Sequence, residues 1–74
     1  MVTIVVLDSK TGKPQSGVSV SIGFDGLRGM SKTERTNRDG KATFQTEPGS
    51  GKVFINGSKS YTGSLKKGET VVTR

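Results

Sequence analysis

Apolar side chains in this chain return at every second residue. Along Val18-Ser19-Val20-Ser21-Ile22-Gly23-Phe24, the apolar residues fall on one side of an extended backbone and the serines and glycine on the other. A period of two belongs to a strand with one buried face. No window sets apolar residues at i, i+3, i+4 and i+7 with helix formers between them, and the 11 glycines are unfavourable inside helices. An all-β chain is the expectation.

The same pattern predicts strands at residues 2–7, 18–24, 31–37, 41–46, 52–56, 58–62 and 69–73. The first is an almost unbroken apolar run, Val2-Thr3-Ile4-Val5-Val6-Leu7, which implies burial on both faces or an edge covered by another chain. The third is polar and exposed on one side. The fourth turns Ala42 and Phe44 inward, and the fifth sets Val53 and Ile55 against Phe54. Asp39-Gly40 and Asn56-Gly57 read as tight hairpin turns in which both residues take positive φ. Asn56-Gly57-Ser58 also fits a glycosylation acceptor, but the hairpin explains it more simply. Thr11-Gly12-Lys13-Pro14 and Glu47-Pro48-Gly49-Ser50-Gly51 read as loops. Short strands at this spacing point to one domain, residues 1–74, built as a sandwich or barrel.

Composition bears on stability and chemistry. Only 28% of the 74 residues are hydrophobic, so the core is thin, and a partner or second copy would add stability. The chain has no Cys and no His, which removes disulfides, thiolate metal sites, the commonest general base and the commonest transition-metal ligand. The six carboxylates are scattered; Asp8, Asp39 and Glu47 sit in turns, where capping explains them. No metal site, no cofactor and no catalytic residue is predicted. No stretch approaches the roughly 18 apolar residues of a membrane span. The N-terminal run lacks a basic segment and a cleavage site, so no signal peptide is visible, and the expectation is a cytosolic protein or an excised or processed extracellular domain. The formal charge of +6 favours acidic partners, although a solvated basic surface accounts for it more simply.

Several segments together carry a family resemblance. Val6-Leu7-Asp8, Thr11-Gly12-Lys13-Pro14 and Ser16-Gly17-Val18-Ser19-Val20 are followed by Thr36-Asn37-Arg38-Asp39-Gly40-Lys41-Ala42-Thr43-Phe44. Pro48-Gly49 then precedes Val53-Phe54-Ile55, and Leu65-Lys66-Lys67-Gly68-Glu69 closes the series. Over most of its length the chain resembles carboxypeptidase regulatory-like domains of the transthyretin-like (prealbumin-like) group. The resemblance implies a small Greek-key β-sandwich of about seven short antiparallel strands, prealbumin-like or Ig-like. It also implies non-catalytic work: interdomain support, adhesion, protein contact or glycan contact. Related pilin and adhesin domains need a Lys in the first strand for an internal isopeptide bond, and residues 2–7 contain none. The chain is shorter than typical members, which leaves sheet edges open.

Two constellations stand out as contact sites. Within the 23–30 loop, Leu27 and Met30 place apolar side chains at a loop tip beside Arg28, a combination found at interface centres. Arg35 and Arg38 flank the polar third strand, with Lys32, Lys41, Lys59, Lys66 and Lys67 elsewhere, and Tyr61 and then Phe54 are the aromatic rings left for stacking. The candidate binding residues are therefore Leu27, Arg28, Met30, Arg35, Arg38 and Tyr61. The leading expectation is a structural or protein-interaction module that self-assembles through an open edge strand and the 23–30 loop. The alternative is a small basic binder of nucleic acid or another polyanion.

Overall fold

The computed structural model describes residues 1–25 and 29–74. Among these residues there are eight strands and no helix: β1 (Val2–Leu7), β2 (Ser19–Phe24), β3 (Gly29–Met30), β4 (Glu34–Arg35), β5 (Lys41–Phe44), β6 (Gly49–Ile55), β7 (Ser58–Leu65) and β8 (Gly68–Thr73). They form two sheets. One has the order β5-β1-β8; the other has the order β3-β2-β6-β7, with β4 also on β2.

Alternation decides which face each strand buries. In β1, Val2, Ile4 and Val6 point into the core; from the other sheet, Val20, Ile22, Val53, Ile55 and Leu65 meet them. Ala42, Phe44 and Val72 complete a single cluster between the layers, with Val18, Phe24 and Tyr61 packed on its margin. The architecture is thus sandwich-like, with one core shared by both sheets.

Two expectations are corrected. First, there are eight strands and not about seven: the polar segment 31–37 keeps only Glu34–Arg35 as β4, and residues 29–30, read as part of a loop, form β3. β3 pairs with the Gly23–Phe24 end of β2 and β4 with its Ser19–Val20 end. Between them the Ser31 hydroxyl takes the place of a backbone carbonyl: it accepts the Ile22 amide at 2.8 Å and donates to Lys32 O at 2.9 Å. A side chain that bonds the neighbouring backbone competes with the ladder, and the strand lapses there.

Second, the strands are not all antiparallel. β8 runs parallel to β1, from Val2↔Gly68 to Leu7↔Thr73. A parallel pair needs a long crossover, and here the crossover includes the whole second sheet. Of the two readings of the apolar run in β1, burial on both faces or a covered edge, the edge is excluded. The strand lies between β5 and β8, which explains its unbroken apolar run.

The two hairpin signals part company. Asn56 (φ 52°) and Gly57 (φ 86°) both take positive φ and join β6 to β7 in the tight turn expected of them. At Asp39-Gly40 only Gly40 does so, with φ 75°. The turn there begins at Asn37, whose Oδ1 accepts the amides of Asp39 (2.9 Å) and Lys41 (3.0 Å) and whose carbonyl accepts the Gly40 amide. That type of turn, with the glycine last, leads the chain from β4 in one sheet to β5 in the other. Residues 49–51, read as loop, begin β6 and pair with Gly63–Leu65 of β7.

Candidate functional site

β8 is an outer strand, and its backbone is offered on one side. The Gly68 amide donates to Met1 O and the Arg74 amide to Leu7 O, so even-numbered residues turn their amides toward β1. By alternation Glu69, Val71 and Thr73 turn theirs away from the sheet. Among the described residues β8 pairs with β1 alone; it contains no Pro, and its pairing shows no bulge. These are the devices that usually blunt an edge.

The side chains on the outward face of this sheet give the edge an apolar flank. Val5 stands in register with Lys41 on one side and Val71 on the other. Val5 is 8% exposed, whereas Val71 is 53% exposed. The difference arises on the β5 side, where Lys41 Nζ reaches Glu69 Oε2 at 2.7 Å, carrying its aliphatic stem across the face of β1. The hydrogen bond to Glu69, and then its charge, raises the Lys41 pKa above the ordinary lysine value. No comparable cover extends to Val71 among the described residues.

The sequence-predicted contact residues do not assemble into one site. Leu27 and Arg28 lie outside the described residues. Met30 is 61% exposed in β3, on the other sheet from β8. Arg35 lies in β4 and donates from Nη1 to Gly17 O at 3.0 Å. Arg38 is exposed in the turn before β5. Tyr61 is half-buried against the core and donates its hydroxyl to Ser64 O at 3.0 Å, so its ring is a packing element. The sequence carries no signal that Val71 lies on the surface or that Val5 and Leu7 turn away from the core. Nothing in a run such as Val2-Thr3-Ile4-Val5-Val6-Leu7 says which face meets water until its neighbours are known.

Elsewhere the polar side chains serve the fold. Asp8 Oδ1 accepts the amides of Lys10 (2.7 Å) and Thr11 (3.0 Å), and Oδ2 accepts from Gln15 Nε2 (3.0 Å). The Thr11 amide, then the Lys10 amide, hold its pKa below the ordinary value of 3.8. A carboxylate favoured by folding contributes stability above its unfolded pKa, and loses it as pH falls through the lower folded value. Thermal melts between about pH 2 and pH 7 should show stability dropping below pH 3.8, with a shallower drop in Asp8→Asn. Equal acid limbs in the two proteins would refute this role.

A cleft of about 690 Å³ opens where β3 and β4 part from β5, lined by Met1, Phe24, Met30, Lys32, Glu34 and Phe44 among others. Among the described residues, no three carboxylates gather in one place, and no helix is long and apolar enough to cross a membrane. No protein-family model, curated protein or solved structure matches the chain.

Proposed function

We propose that the chain is a non-catalytic structural and protein-interaction module that self-associates through the open edge of β8. Its fold on this reading is a Greek-key sandwich of the prealbumin-like kind, similar to carboxypeptidase regulatory-like domains. The chain's passage between sheets, from β1 to β2, β4 to β5, β5 to β6 and β7 to β8, supports that reading.

The observation that carries the function is the row of outward amides and carbonyls at Glu69, Val71 and Thr73 beside an exposed valine. A second copy of the same strand satisfies it. With a two-fold axis at Val71, β8 pairs antiparallel with its copy: Val71 faces Val71, and Glu69 faces Thr73. No like charges then stand opposite one another. Pairing of this kind forms about six backbone hydrogen bonds and extends the sheet across the axis. It also covers Val71 on the side that Lys41 leaves open. The net charge of +6 opposes association, so the interaction strengthens as salt screens it.

Sedimentation equilibrium over a concentration series at moderate salt tests this. The expected result is a dimer for the wild type and a monomer for Val71→Pro, which removes the outward amide and leaves the β1 ladder intact. Val71→Lys, which sets two cations face to face on the axis, should also be monomeric. A wild type that stays at 7.8 kDa at millimolar concentration overturns the proposal, as does undiminished association of both variants.

A further inference from the structure

The outward face of the second sheet carries charge of one sign around an aromatic ring. Register places Arg35 beside Ser19, Lys59 beside Phe54, and Lys52 between Gly23 and Thr62. Ser19, Ser21 and Gly23 alternate with the core residues Val20 and Ile22, so these neighbours all point outward. Strand geometry sets Lys52 about 7 Å along β6 from Phe54, and Lys59 about 5 Å across from it. Among the described residues, none of these cations is paired with a carboxylate, in contrast to Lys41 on the opposite sheet. Glu34 shares the inward parity of its partner Val20 and lines the cleft. Asp25 stands at the far end, where its amide donates to Ser50 O.

The centre of this face is partly apolar. A Cβ on Gly23 would stand 2.9 Å from Met30 Sδ and 3.1 Å from Phe54 Cε2, so the thioether and the half-buried ring fill the space over the glycine. Around it lie Ser19, Ser21, Ser50, Thr62 and Ser64, all hydroxyl donors.

From these features we infer that the outward face of β2, β6 and β7 binds single-stranded nucleic acid. A base stacks on Phe54 beside Met30, and the phosphates on either side meet Lys52, Lys59 and the free donors of Arg35. An aromatic platform bordered by unpaired cations is the chemistry that recognises a flexible strand without reading its sequence. A duplex keeps its bases stacked internally and gives the ring nothing to stack on. This face is on the other sheet from the β8 edge, so the inference stands independently of self-association.

Fluorescence anisotropy with a labelled oligothymidine of about twelve nucleotides tests it. Three phosphate contacts, each giving a logarithmic salt slope of about −0.7, predict roughly a hundredfold loss of affinity for a tenfold rise in salt. Lys52→Gln and Lys59→Gln should each reduce that slope by about 0.7. Phe54→Leu, which keeps an apolar residue on the sheet, should weaken binding about tenfold with the slope unchanged. A Lys66→Gln/Lys67→Gln double variant, in the turn between β7 and β8, should bind within about twofold of wild type. Circular dichroism verifies that each variant remains folded. The inference is overturned by any of three results: no binding at about 20 mM salt, equal weakening by the turn variant, or binding of a base-free polyanion such as polyphosphate as tightly as the oligonucleotide.

Discussion

Gly40→Ala is expected to lower stability by about 2–5 kcal/mol. Two costs combine. Gly40 has φ 75°, and an L-residue held there costs about 1–2 kcal/mol. The added Cβ would also stand 2.8 Å from Val6 O, 3.0 Å from Pro14 Cβ and 3.1 Å from Gln15 N. Those atoms belong to a closed corner: Val6 N donates to Gly40 O at 2.8 Å, and Gln15 N donates to Val6 O at 2.9 Å. The methyl can be accommodated only if that backbone moves, at about 1–3 kcal/mol more. At roughly 0.05–0.15 kcal/mol per residue, a chain of 74 residues has about 4–11 kcal/mol in all. Urea denaturation should therefore show Gly40→Ala at or near the threshold of folding. Gly57→Ala is the control: it has φ 86° but nothing within 4 Å of the new Cβ, so it should cost only the backbone strain, about 1–2 kcal/mol. Equal losses in the two variants would show that the corner yields freely.

Thr36→Val should cost about 2–3 kcal/mol although it keeps the side chain's shape. Thr36 is 5% exposed, and its hydroxyl joins two other segments: it accepts the Val18 amide at 3.1 Å and donates to Gln15 O at 2.7 Å. Its own backbone holds the same stretch, with Thr36 N donating to Val18 O and Gly17 N to Thr36 O. Valine leaves a part-buried N–H and C=O without partners, and an unmade bond at such a site costs more than a made one contributes. With a shift of about 4–8 °C per kcal/mol for a domain of this size, the melting temperature should fall by about 8–24 °C. Thr36→Ser keeps the hydroxyl and loses one methyl, so it should stay within about 1 kcal/mol of wild type. A valine variant as stable as the serine variant would refute the role given to the hydroxyl.

Thr36 also illustrates how far the residues could be read in one dimension. It sits in Lys32-Thr33-Glu34-Arg35-Thr36-Asn37, where every side chain is polar, and such a segment reads as exposed. Its burial depends on residues 15–18 folding over it from β1's far end, a contact about twenty positions away in sequence. The same holds for Gly49-Ser50-Gly51. Glycines usually mark loops, but Gly51 lies buried against β2, where a Cβ would stand 2.5 Å from Gly23 O, so the residue allows two strands to approach. On the surface, Arg35 and Lys59 were singled out by charge. Their company with Lys52 and Phe54 follows from the register of β2, β6 and β7.

What the chain determined alone is its local conformation: alternating Val18, Val20, Ile22 and Phe24 make a strand with one apolar face, and Asn56-Gly57 makes the reversal between β6 and β7. A two-residue period and a positive-φ pair act over a few residues, so they need no partner to be recognised. Only the tertiary structure decided that β8 runs parallel to β1, that β1 is central, and that β8 is left with an outward row of amides. Pairing partners are chosen by burial summed over the whole core, and that sum exists only once distant strands have met.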